Sequence, residues 1–234
     1  MTSKSPAYCR STAYRAFAGA LGRVDRPGGL FRAAWAIAQH ELPEADLASG
    51  EAAIDGLAAA VMKRVRSPSV DARLAHLHDV VFDVAGFRGN VEDYYAVGNS
   101  YLPEVLRTRR GLPIALALVY QCVAAKSGLV VHGVNAPGHF LVEVETPSQR
   151  GAQSMYVDPF HGGRLLTVAE ALVRIDESTG HELSPKAAML VRATPRQWLR
   201  RMLHNLQAVF AAGGRERDVF AMQELEQLME EKSQ

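Results

Sequence analysis

The sequence predicts an α+β protein, and three observations carry that reading. Apolar residues recur at helical spacing through roughly the first 95 residues and again beyond Pro195. Between those regions, residues 113–127 read as a central helix led by a proline. After Gly128 the period drops to two, and short strands follow.

Residues 1–29 read as an N-terminal arm. The first 24 residues contain no Asp or Glu and carry Lys4, Arg10 and Arg15, a composition shared with transit peptides. The apolar part, residues 16–21, is too short for a secretory core, so a helical arm is the plainer reading. Leu30, Phe31, Ala34, Trp35, Ile37 and Ala38 then set up a helical face that Pro43 closes. A second face runs from Ile54 to Val65, with Ser49 as its expected cap and Pro68 beyond its end. A third runs from Val70 to Val84 and stops at Gly86. Residues 87–90 read as a loop. Asn99 and Ser100 offer capping oxygens to a helix over 101–110, which Gly111 breaks.

Strands are expected over 129–134 and 140–145, then, past a polar loop at 147–153, over 155–158 and 164–166. Gly162 and Gly163 supply the turn between the last two. Thr167 and Glu170 form a reciprocal cap for a helix through Arg174. Trp198, Met202, Leu206, Val209 and Phe210 mark a long helix ended by Gly213 and Gly214. A last helix aligns Val219, Met222, Leu225 and Leu228. The expected division is an arm (1–29), a main domain (30–192) and a C-terminal helical pair (193–234). That pair looks like the start of a helical repeat array, although two helices are too few for a stable one.

Composition excludes several classes. The chain is 48% hydrophobic and 22% charged, with 26 Lys plus Arg against 25 Asp plus Glu. No global field favours nucleic acid. No apolar run approaches the ~20 residues of a membrane span. Two cysteines, Cys9 and Cys122, make no disulfide framework, so a cytoplasmic protein is expected.

Chemistry concentrates near residues 138–160. Alternation from Gly138 puts His139, Leu141 and Glu143 on one face and the apolar Phe140, Val142 and Val144 on the other, toward the core. Asp158 precedes Pro159 and so ends its strand in an extended conformation. Two readings of the pair stand: Asp158 fixes the tautomer of His139 as a base, or His139 is a buried histidine satisfied by any neighbour and Asp158 only starts a turn; the ordered pattern with the preceding helix favours the first. A thiol nucleophile in such a site belongs at a helix N-terminus, where the dipole lowers its pKa. That point here is Leu112-Pro113-Ile114, which brings no nucleophilic atom. Cys122 lies eight residues past Ile114, roughly 12 Å along the axis, and is expected to be an inert buried thiol. Cys9 lies in the arm. Arg107, Arg109 and Arg110 crowd the entry to the central helix. Although His132, His139, Asp158 and His161 are all able to ligate metal, no pair has the helical i, i+4 spacing of a zinc site. No metal and no cofactor are expected.

Together, Asn99-Ser100-Tyr101-Leu102, Arg110-Gly111-Leu112-Pro113-Ile114, Pro137-Gly138-His139-Phe140-Leu141 and Asp158-Pro159-Phe160 with Gly162-Gly163 resemble the SirB family. Phe87-Arg88-Gly89-Asn90 and the helix around Met202 and Asn205 strengthen the likeness. These are bacterial transglutaminase-like proteins, often with a C-terminal tetratricopeptide-like segment. The resemblance implies a transglutaminase-like (papain-like) core. His139 and Asp158 would match the catalytic His and Asp, while the catalytic cysteine would align near Pro113 or Ile114.

Three functions compete. The leading one is a non-catalytic binding or regulatory module for a peptide or small polar ligand, with Asn99, Arg110, Gly111 and His139 as expected contacts. The second is a hydrolase or amidase that uses His139 and Asp158 as a general base without a thiol. The third is a protein-interaction adaptor acting through the C-terminal helices.

Overall fold

A computed structural model describes residues 5–67, 69–145, 155–181, 184 and 186–231. Lys4, Pro68 and the expected loop at 147–153 lie outside the described residues. The arm forms helix α1 (Ser11–Leu21), followed by α2 (Gly29–Ala38) and α3 (Leu47–Arg64). The cap of α3 is Asp46 rather than Ser49: its carboxylate accepts from the Ala48 and Ser49 N–H groups at 3.2 and 3.0 Å. Helix α4 (Val70–His78) relaxes into a π-helical turn over Asp79–Val84 instead of running on as one α-helix.

Residues 88–89, expected as loop, form strand β1 (Arg88–Gly89), parallel to β2 (Arg110–Gly111). Helix α5 lies between them (Leu102–Thr108), and Tyr101 begins it without a side-chain cap. Helix α6 follows (Pro113–Lys126), its sides closed by buried residues from Pro113 to Tyr120 and again at Val123 and Ala124. A helix apolar all round belongs inside a protein rather than on its surface.

Strands β3 (Val131–Val134), β4 (Leu141–Val144), β5 (Met155–Asp158) and β6 (Arg164–Leu166) form an antiparallel sheet in chain order. Helix α7 (Val168–Ser178) then returns across it, followed by α8 (Pro195–Ala212) and α9 (Glu216–Glu231). The alternation expected for β4 holds in direction but not in exposure. Phe140, Val142 and Val144 join the main core, as expected. Leu141 is buried on the opposite side with Val134, Tyr156, Leu166 and Ala171, because α7 covers that face. Glu143, on the same side, is buried and held by Arg192 at 2.6 Å.

Trp198 of α8 ties the last helices to the centre. It is 1% exposed, its indole N–H donates to the Ile114 carbonyl at 3.3 Å, and its ring lies 4.6 Å from that of Phe140. Gly133 makes room for it, since a Cβ there would stand 2.1 Å from the indole. The arm is tied to the other end of the chain, where Glu224 of α9 accepts from the N–H groups of Ala7 and Cys9 at 2.7 and 2.8 Å.

Candidate functional site

The approach to His139 depends on Gly138. Its φ of +67° suits glycine, and a Cβ would meet the Ser178 carbonyl oxygen at 2.8 Å. The chain can therefore pass beneath the end of α7 and deliver His139 just ahead of β4. Asp158 closes β5 in an extended conformation (φ −106°, ψ 93°) and caps the short turn Pro159–His161. Its Oδ1 accepts from the Phe160 and His161 N–H groups at 3.1 and 3.3 Å. Three nitrogens surround its Oδ2: His161 Nδ1 at 2.7 Å, His139 Nε2 at 3.0 Å and Arg174 Nε at 3.3 Å.

Asp158 is fully buried and His139 nearly so. Burial would raise the carboxyl pKa, but the imidazoles of His139 and His161 close to it prevail and hold it well below the usual carboxylate range. Two of the three nitrogens are poorly aligned. His139 Nε2 and Arg174 Nε lie off the hydrogen-bond line despite their short distances.

His139 also lines a cavity of about 680 Å³, and so do Pro113 and Ile114. The histidine thus shares one cleft with the first turn of α6. Nε2 is buried beside Asp158. Leu112, Pro113 and Ile114 bring no attacking atom to that cleft. Neither cysteine lines the cavity. Burial pushes the Cys122 thiol up to about 12 against the pull of Lys126. Burial and then the Glu224 carboxylate push Cys9 up to about 12.

Three of the four groups able to ligate metal converge: one atom each of His139, Asp158 and His161 falls within 4.8 Å of the others. Arg174 stands against the same Asp158 oxygen. A guanidinium there supplies the positive charge a cation would otherwise bring, so the cluster reads as an ion-paired group around one buried carboxylate. His132 takes no part and pairs with Glu145 at 2.8 Å.

Asn99, Arg110 and Gly111, expected as ligand contacts, lie outside the cavity lining. Asn99 is buried. Its amide donates to the Asp93 and Tyr94 carbonyls at 2.6 and 3.0 Å, and its oxygen accepts from Asn90 at 2.9 Å. It staples the loop that carries Tyr94 and Tyr95 to the cleft, and so does not cap α5. Arg110 turns inward to the Gly86 carbonyl at 3.0 Å, and the Gly111 carbonyl accepts from the Asn90 N–H at 3.3 Å. Sequence reading missed Tyr94, Arg201 and Asn205, which do line the cleft. A signal was present. Arg201, Asn205, Ala208, Val209 and Ala212 form an i, i+4 stripe along α8 beside its core face.

A sequence model of the transglutaminase-like superfamily matches residues 48–204. A UPF0162 protein of Xylella fastidiosa is 33% identical over 186 residues, which is 78% of this chain and 65% of that protein. A UPF0162 protein of Pseudomonas aeruginosa is 35% identical over 118 residues, 50% of this chain and 40% of its own. F-box only protein 21 of Mus musculus is 34% identical over 131 residues, 54% of this chain but 20% of that one. The chain thus spans about two thirds of the Xylella relative and less of the others. No solved structure matches it significantly. Since the superfamily match runs from α3 into α8 and encloses α6, His139 and Asp158 together, the chain belongs to the transglutaminase-like superfamily.

Proposed function

We propose that this domain is a transglutaminase-like binding module, of the SirB type, that holds a peptide or small polar ligand without thiol chemistry. The observation that carries the reading is the content of the cleft. His139 shares the cavity with a helix start built from Leu112, Pro113 and Ile114, and both thiols lie elsewhere with raised pKa values. A thiolate is the form that attacks, and neither cysteine supplies it near neutral pH. The match to 20% of the length of F-box only protein 21 also suits a module carried in chains of different make-up. The test is an assay of the purified chain on peptide amides, with and without an amine acceptor. The expected result is neither hydrolysis nor transamidation. Turnover that disappears in His139→Ala would overturn the proposal.

A second reading rests on the ionised Asp158 beside His139. Here the imidazole is a general base toward water or a substrate hydroxyl, assisted by backbone N–H groups at the start of α6. General-base help is worth about 10²–10⁴-fold, a modest share of an enzyme's acceleration. A pH–rate profile that loses its histidine limb in His139→Gln would favour this reading over the first.

A further inference from the structure

The cleft is electrostatically one-sided. Among the described residues no Asp or Glu lines it, whereas His139, Arg201 and Arg215 do. Arg215 is already neutralised by Glu41 and by Asp218, the latter at 2.7 Å. Arg201 is different. No carboxylate among the described residues pairs with it. Its Nη1 donates to neutral oxygens, Asn135 Oδ1 and the Ala136 carbonyl, and its guanidinium lies 5.7 Å from the Phe140 ring. The Nε and Nη2 atoms donate to no described residue and are not sealed from solvent.

Those two N–H groups are parallel and form the edge of a guanidinium that receives a carboxylate in bidentate fashion. Nη1 is anchored on the far side, so the edge is held in place and little side-chain freedom is lost on binding. Much of the cavity wall is apolar, supplied by Val97, Leu112, Pro113, Ile114 and Val209. A cavity of about 680 Å³ lies in the size range of small-ligand sites. A cation half-withdrawn from water and left without a counter-charge is best satisfied by an anion arriving with the ligand.

Resting on the reading that the cleft is a ligand site, we infer that its ligand carries a carboxylate on an apolar body, received by the Nε–Nη2 edge of Arg201. A peptide C-terminus and a small organic acid share that chemistry.

The test is calorimetric titration of the full chain with N-acetyl tripeptides ending in leucine or phenylalanine, each as free acid and as carboxamide. N-acetyl-leucine and N-acetyl-phenylalanine are the small-acid arm. Expected is at least tenfold tighter binding of acids than of amides. Arg201→Gln brings the acids to the level of the amides. Arg201→Lys, which keeps charge but loses the fork, retains part of the difference. Equal binding of tripeptide and single-residue acids supports the inference with a small acid as the source, while binding of tripeptides alone supports it with a peptide terminus. Acids and amides binding equally would overturn the inference and leave the cleft a binding site. Silence from every probe would overturn the cleft reading and the inference with it. The comparison on the unaltered chain decides the matter even if Arg201→Gln does not fold.

Discussion

His139 Nε2 stands 3.0 Å from Asp158 Oδ2, and that contact joins the end of β5 to the approach of β4 inside the protein. The same oxygen faces His161 and Arg174, so one buried carboxylate offsets several positive or donor groups. Asp158→Asn removes that charge and leaves the donors facing a neutral amide. The expected loss is about 3 kcal/mol of unfolding free energy at neutral pH, read from urea denaturation midpoints at unchanged slope.

Acid should weaken the fold in two stages. His78 is pulled down to about 4 by burial, against the field of Asp83, and meets the Tyr120 hydroxyl at 2.9 Å. Its folded pKa lies below the ~6.5 of an unfolded histidine, so the unfolded chain binds a proton that the folded chain refuses. Stability is therefore lost as pH falls from about 6.5 toward 4, with a slope of up to ~1.4 kcal/mol per pH unit from this group. Asp158 acts lower. Its contribution is complete above the ~3.9 of an unfolded carboxyl and declines as pH falls toward its depressed folded value. Melting curves from pH 7 to 3 should show the first stage and the onset of the second, and His78→Gln should flatten the first alone.

Gly133 and Trp198 pack directly against each other where the sheet meets the last helices. Gly133→Ala drives a methyl into the indole, and the ring must move or the strand must shift. The expected penalty is about 1–3 kcal/mol, with a change in tryptophan emission as Trp198 leaves its 1% exposed seat. A variant with unaltered stability and emission would mean that the joint is looser than described.

The fold was legible where local chemistry is strong. Pro113 at a first turn, Gly128 at a helix end and the Thr167–Glu170 capping box all lie where the sequence places them. The histidine and aspartate were legible for the same reason: one lies just ahead of a strand and the other precedes a proline. The remainder required tertiary information. Asn99 offers the chemistry of a cap, but the chain brings Asp93 and Tyr94 carbonyls to its amide, and it becomes a loop staple. Arg110 sits at the mouth of α6 in sequence, yet β1–β2 pairing turns its guanidinium toward Gly86. The buried second face of β4 followed from α7, whose return across the sheet no strand pattern announces. Arg201 escaped because a charged residue beside an apolar stripe ordinarily faces solvent.

The native thiols should be slow. With Cys9 and Cys122 both raised to about 12, alkylation by iodoacetamide at pH 7 should proceed well below the rate of a free cysteine and accelerate only on unfolding. Fast labelling of either in the folded chain would place a reactive sulfur where the account has none.

The most direct test restores the atom that the first turn of α6 lacks. Pro113→Cys and Ile114→Cys, made separately and each with Cys9 and Cys122 replaced by Ser, should give at least one thiol whose alkylation rises at a pH well below the ~8.5 of free cysteine. Adding His139→Gln should move that rise back upward, because the imidazole partner is gone. If neither cysteine departs from ordinary thiol titration, or if His139→Gln changes nothing, the first turn of α6 does not face His139 as a nucleophile position must, and the account fails.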